Sequence, residues 1–348
     1  MSDRTTTQTA DQVATDGPTG SAASGGQRAR PWSTLRPSLL WQTIGPFAIF
    51  LLLFVMVAAV NPGFLNGGGL VILATQAAPI LLVALGQAVV LHVGSLDLSN
   101  AAIALMSAVV AALLLSQLGG VAPLAVLVIA TLTGLVNGLL FAYTQVPSFA
   151  LTLGTLGILQ AASLVLTDST TVYVTANADV LDWMFTLRLA GLPAGFWMAV
   201  VLAVLLWVVL RYTSAGQGMT AIGLNETGAI FSGIRTRALK AAAFAVSGLT
   251  AGFAGMVIIA QAGAASSFGL GSDLLLPGIA AAIMGGTAIT GGITNPINVI
   301  FGALTVALLP IGNAAVGIPP QAQSLVYGLI IIIAVSLTIS RSRGDVVK

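Results

Sequence analysis

Between residues 37 and 340 this chain carries only 11 charged side chains: Asp97, Asp168, Asp179, Asp182, Arg188, Arg211, Glu226, Arg235, Arg237, Lys240 and Asp273. The outer layer of a water-soluble domain is built from charges, which make up about a quarter of an ordinary soluble chain. No such layer can be assembled here. The stretch must face hydrocarbon, and a soluble enzyme is excluded. Its abundant glycine, 40 residues with no collagen period, suits helices that pack closely inside a membrane.

Crossing ~30 Å of hydrocarbon takes ~20 apolar residues in a helix. Clear runs lie near 39–60, 121–143, 193–210, 241–262 and 322–340; less regular ones, interrupted by Gly and Pro, lie near 70–91, 99–117, 148–167, 275–289 and 296–312. The pattern predicts an all-α polytopic membrane protein of about ten transmembrane helices. Residues 1–36, rich in Thr, Ala, Gly, Ser and Gln without an apolar period, read as a disordered tail. Residues 341–348 form a second, short one.

Basic residues near span ends stay in the cytoplasm. Arg28, Arg30 and Arg36 precede the first run, Arg341, Arg343 and Lys348 follow the last, and Arg211, Arg235, Arg237 and Lys240 bracket a loop at about 212–240. All three regions are therefore expected inside, with both termini cytoplasmic. The segment 168–192 holds three aspartates against Arg188 and is expected to be the main outer loop. Gly94-Ser95-Leu96-Asp97-Leu98 is echoed by Gly271-Ser272-Asp273-Leu274, and Val146-Pro147 by Ile318-Pro319. The first aspartate then follows an inward-running helix and the second an outward-running one, the pattern of an inverted-topology repeat.

Much chemistry is ruled out. The chain has no cysteine and one histidine, His92, so neither a thiolate nor a His-based metal site is expected. No catalytic set can be drawn, and no phosphate-cradling Gly-x-x-x-x-Gly-Lys loop is present, so nucleotide hydrolysis needs another chain. The net charge of +2 is too small and scattered for nucleic acid. Asp97, with Ser99 beside it, can cap the helix that follows or contact solute in a polar pathway; Asp273 has the same two readings. Ser95, Asn137, Thr152 and Asn295 are further candidates for the pathway or for helix breaks. The loop 212–240 contains Met219, Ile222, Ile230 and Ile234 at helical spacing among Gly223, Gly228 and Gly233. So glycine-rich a helix is unstable alone in water, and a cytoplasmic docking partner is expected.

Several motifs in order resemble one family. Asn61-Pro62-Gly63-Phe64-Leu65, Gly94 to Ser99, Asn137-Gly138 with Val146-Pro147-Ser148-Phe149 and Thr152-Leu153-Gly154-Thr155, Ala221 to Ile234, and Gly285-Gly286-Thr287 with Gly291-Gly292 are similar to the transmembrane permease subunits of bacterial ABC importers for ribose, xylose, galactose and related solutes. The likeness runs from about Asn61 to Ser340. Ser95 and Asn100 depart from it near Asp97. The resemblance implies a permease domain over 37–340 in the bacterial inner membrane, surrounded by lipid. It implies a second permease chain as a homodimer around the pathway, cytoplasmic ABC ATPase subunits that hold ATP and Mg, and an extracytoplasmic solute-binding protein. This chain itself would hold no cofactor. The ATPase would dock on Met219, Ala221, Ile222, Gly223, Asn225, Glu226, Ala229, Gly233 and Ile234, with Gly223 where only a hydrogen fits against it and Glu226 at a polar or basic rim. The expected solute is a monosaccharide or polyol. Branched-chain amino acids or nucleosides are the nearest alternative, and an ion-coupled secondary transporter using Asp97 and Asp273 is the alternative of another mechanism.

Overall fold

The computed structural model describes residues 37–144, 146–266 and 272–338; the two tails read from the sequence lie outside them. Helix α1 (Pro37–Val60) leads through a 3-10 turn into α2 (Gly67–His92). Helices α3 (Asn100–Leu118) and α4 (Ala122–Thr144) are joined at Gly119–Val121, and α5 (Ser148–Leu166) follows. Then come strand β1 (Thr171–Tyr173), the short helix α6 (Asp179–Thr186), strands β2 (Arg188–Leu189) and β3 (Leu192–Pro193), and α7 (Ala194–Tyr212). Two short helices, α8 (Ser214–Leu224) and α9 (Glu226–Phe231), precede α10 (Thr236–Ala262). Strand β4 (Ala264–Ser266), a 3-10 turn Ser272–Leu274, α11 (Leu275–Met284), α12 (Pro296–Ala315) and α13 (Gln323–Thr338) complete the described chain.

Among the described residues, six helical stretches are long and apolar enough to cross a membrane, one of them the 45-residue Asn100–Thr144 that comprises α3 and α4. Ile44–Val60 and Leu275–Met284 are shorter apolar helices. The helical membrane class holds. The structure adds four short strands that the apolar runs did not announce. Strand β1 pairs antiparallel with β4, Val172 opposite Ala265. Strands β2 and β3 form a hairpin turned at Ala190 and Gly191, with φ of +50° and +81°, the two positive values of a type I′ turn.

Helices α2 and α10 run through the middle. From Ala77 to His92 every residue of α2 is buried, and α10 is buried along most of its length. Their burial does not depend on a one-sided apolar stripe, since both are covered all round. Proline 79 removes the N–H that would have bonded the Thr75 carbonyl. In hydrocarbon that oxygen needs another donor, and Gln261 Nε2 of α10 supplies it at 2.9 Å. The seam between α4 and α10 is backbone against backbone. A Cβ at Gly134 would lie 2.3 Å from the Phe244 carbonyl oxygen, and one at Gly248 2.3 Å from that of Ala130. Leucine, isoleucine and valine side chains on α1, α4, α5 and α7 point outward, among them Leu52, Leu124, Ile158 and Leu205, as a lipid-facing surface requires.

The turns sort into two ends of the bundle by their contacts. At one, β1 meets β4 and Asn177 Nδ2 donates to the Leu115 carbonyl at 2.9 Å. At the other, the segment after α2, the start of α5, the α8–α9 pair and the loop before α12 converge.

Candidate functional site

Two sites share that second end. The first is the break between α2 and α3, residues 93–99, which is folded back into the bundle. Asp97 is completely buried, and no cation among the described residues pairs with it. Its Oδ1 accepts from the Ser99 backbone N–H at 2.9 Å and from Ser99 Oγ at 2.6 Å. Its Oδ2 accepts from Ser247 Oγ of α10 at 2.7 Å. Neutral donors thus satisfy the carboxylate, as a charge or acid in a dry site demands. The bond to the Ser99 N–H, two residues on, closes an Asx turn just ahead of α3. The N-cap of that helix is Ser99 and it has no side-chain capping bond, so Asp97 is not the cap residue the sequence suggests.

The network continues outward from there. Asn137 Nδ2 of α4 donates to Ser99 Oγ at 2.9 Å, and Thr155 Oγ1 of α5 donates to Asn137 Oδ1 at 2.8 Å. Thr152 Oγ1 accepts from the Leu98 backbone N–H at 3.0 Å, and Ser148 Oγ from that of Leu96 at 3.0 Å. Asn100 Nδ2 donates to both the Oγ and the carbonyl of Ser247. The broken helix is therefore tied to α4, α5 and α10 at once. Of the sequence-predicted residues, Asp97, Ser99, Asn137 and Thr152 come together here, and Ser95 is buried beside them with its hydroxyl unpartnered among the described residues. Asp273 is exposed on the 3-10 turn at the opposite end. Asn295 caps α12, its Oδ1 accepting from the Ile297 N–H at 3.1 Å. Ser247 and Asn100 complete the network, and no local motif marks Ser247, a lone serine in a Gly- and Ala-rich stretch of α10.

The second site is the α8–α9 pair. Asn225 ends α8 and caps α9, accepting from the Gly228 N–H at 3.0 Å. Gly233 closes α9 with φ +77°, a left-handed stop that glycine adopts without strain. Glu226 pairs with Lys240 of α10 at 2.5 Å, and the Lys240 ammonium lies 4.8 Å from the Phe141 ring centre. The expected docking stripe is divided by the fold. Met219, Ile222 and Ala229 are buried against Val89, Val93, Leu210 and Ala243 of the chain itself, with Ala221 and Ile234 half-buried alongside. What faces outward is Phe231, 87% exposed, with Leu224 at 66% and Ile230 at 53%. The crowding at Gly223 also comes from the chain: a Cβ there would lie 2.0 Å from the His92 carbonyl oxygen and 2.2 Å from the Gly292 nitrogen.

The chain as a whole is similar to known proteins. Residues 69–335 match the family described as "Branched-chain amino acid transport system / permease component". A ribose import permease protein of Bacillus subtilis is 31% identical over 306 residues, 86% of this chain and 94% of the relative. A D-allose transport system permease protein of Escherichia coli is 31% identical over 307 residues, covering 86% and 92%. A fructose import permease protein of Rhizobium meliloti is 29% identical over 283 residues, covering 79% and 78%. No solved structure matches.

Proposed function

Since the chain belongs to the family of transport-system permease components, we propose that it forms the solute pathway of an ATP-driven sugar importer. ATP and Mg are held by a partner ATPase, and a binding protein brings the solute from outside. The relatives named above are named for ribose import, D-allose transport and fructose import, which supports a monosaccharide as the solute. The observation that carries the reading is the α8–α9 pair. Short, well-capped helices present the exposed apolar residues Leu224, Ile230 and Phe231, beside Arg235 and Arg237, at one end of a bundle whose sides face lipid. An aromatic at such a place is an anchor for a partner rather than for hydrocarbon.

Residues 37–340 are the permease domain of a multi-pass inner-membrane protein. Ten spans are assigned to α1–α5, α7 and α10–α13, with 212–240 and both termini inside and 168–192 outside. The sorting of turns into two ends supports that alternation. Helices α2–α5 recur as α10–α13 about 170 residues later, with the Asp97 break and the Asp273 turn at opposite ends, which supports an inverted repeat. Two identical chains enclose the pathway. The ATPase docks on the exposed face of α8–α9, while Met219, Ile222 and Ala229 hold that face in place. Asp97, Ser99, Asn137 and Thr152 hold the broken helix beside the pathway, and the saturated carboxylate argues against an ion-carrying role for Asp97.

The test is reconstitution in liposomes with the ATPase and the binding protein. Labelled ribose, allose or fructose should enter only when ATP is present on the α8–α9 side. Uptake driven by a proton or sodium gradient, with no ATPase present, would overturn the reading.

A further inference from the structure

His92 is the last residue of α2 and is only 3% exposed. Val89 and Val93, on either side of it in sequence, are buried in one apolar cluster with Met219 and Ile222 of α8. Its Nε2 lies 3.0 Å from Thr220 Oγ1 of α8. The Thr220 hydroxyl proton is already directed at the Gly216 carbonyl, 3.0 Å away, so its oxygen is the acceptor and His92 Nε2–H the donor. The ring's Nδ1 has no partner among the described residues. The bond to α8 is thus the polar contact the ring makes. The His92 carbonyl is fixed as well. It accepts from the Gly292 N–H at 2.9 Å and is pressed against Gly223. Five residues further along the chain is Asp97. Between them Gly94 turns the backbone with φ +72°, and the Leu96 and Leu98 N–H groups are held by Ser148 and Thr152 of α5.

Resting on the coupling role of α8–α9 given above, we propose that His92 and Thr220 are positioning residues for transport. Their hydrogen bond joins α8 to the chain break after α2, so a displacement of α8 by the docked ATPase is delivered to residues 94–99 and the start of α5. Close packing makes such a joint shift as a block rather than deform. Without the bond, α8 can move against an unmoved break.

The full-length chain, with its ATPase and binding protein in liposomes, is assayed for sugar imported per ATP hydrolysed. Thr220→Val removes the acceptor and keeps the shape. His92→Leu removes the donor. Thr220→Ser and His92→Gln keep a hydrogen-bonding group at similar reach. Val and Leu should lower the ratio several-fold while hydrolysis continues. Ser and Gln should bring it back towards wild type, and the Val–Leu double variant should be no worse than either single one. An unchanged ratio in the Val and Leu variants overturns the proposal, as does a parallel loss of uptake and hydrolysis or a failure of Ser and Gln to restore. Should His92→Leu not accumulate in the membrane, the Thr220 pair decides alone. Import by the wild-type chain without hydrolysis sinks the importer reading itself, a result read before any variant is compared.

Discussion

Both carboxylate oxygens of Asp97 are already taken by donors of the chain itself, Ser99 and Ser247. Asp97→Asn keeps one carbonyl oxygen for the Ser99 N–H and places an amide against Ser247 Oγ, whose hydroxyl can turn to accept. Asparagine closes the same Asx turn as aspartate, so this variant should keep most of its uptake per unit of membrane protein. Asp97→Ala strands a buried N–H and two hydroxyls. Each stranded group costs ~1–3 kcal/mol where nothing replaces the bond. Uptake and melting temperature in detergent should both fall. A fully expressed but inactive Asn variant would show that the charge, and not the bonding, is what matters. Gly223 makes the complementary point about volume. A methyl group there meets the His92 carbonyl at 2.0 Å, so Gly223→Ala should cost ~1–3 kcal/mol through forced backbone movement. It should do so in the isolated chain, before any ATPase is added; an unchanged melting temperature would contradict the packing described.

The α8–α9 pair shows how far the sequence could be read at the level of elements. Its caps, Asn225 ahead of Gly228 and the glycine at 233, are local features, but a glycine-rich pattern read for its instability does not single them out. Which of its apolar residues the fold leaves exposed was not legible either. Met219 and Ile222 are covered by the end of α2, whose place in the fold no local pattern reveals, and that covering leaves Phe231 outermost. Phe231→Asp should leave the chain in the membrane but weaken co-purification of the ATPase. An aromatic anchor is worth ~2 kcal/mol or more, hence at least about tenfold in affinity. Unaltered retention would show that the ATPase binds elsewhere. The long spans were legible because a run of apolar residues needs no period to be seen. The strands were not, since β1 and β4 are three residues each and find one another across the chain. Sidedness can be tested directly, because the chain has no cysteine. In intact cells an impermeant thiol reagent should modify Thr175→Cys and spare Thr227→Cys; the reverse pattern would invert the topology.

At the scale of the whole molecule, sequence reading reached the class of fold and the family, because both rest on patterns spread along the chain. It did not reach the network around Asp97. Ser247 and Asn137 bring their side chains from helices distant in sequence, and only the bundle sets them side by side. The same holds for the glycine seam between α4 and α10, where Gly134 and Gly248 each meet a carbonyl of the opposite helix. That seam has a consequence in time. A ribosome adding about 5–20 residues per second releases α10 several seconds after α4. During that interval the groove at Gly134 has lipid or the insertion machinery against it, not its partner. The central contact of the bundle is then among the last to form, after most of the chain is already in the bilayer. A substitution such as Gly134→Val should therefore leave insertion normal and let full-length chains be made. They should then be lost to proteases at the final step of assembly, which a pulse-chase would show as a shortened lifetime at an unchanged rate of synthesis.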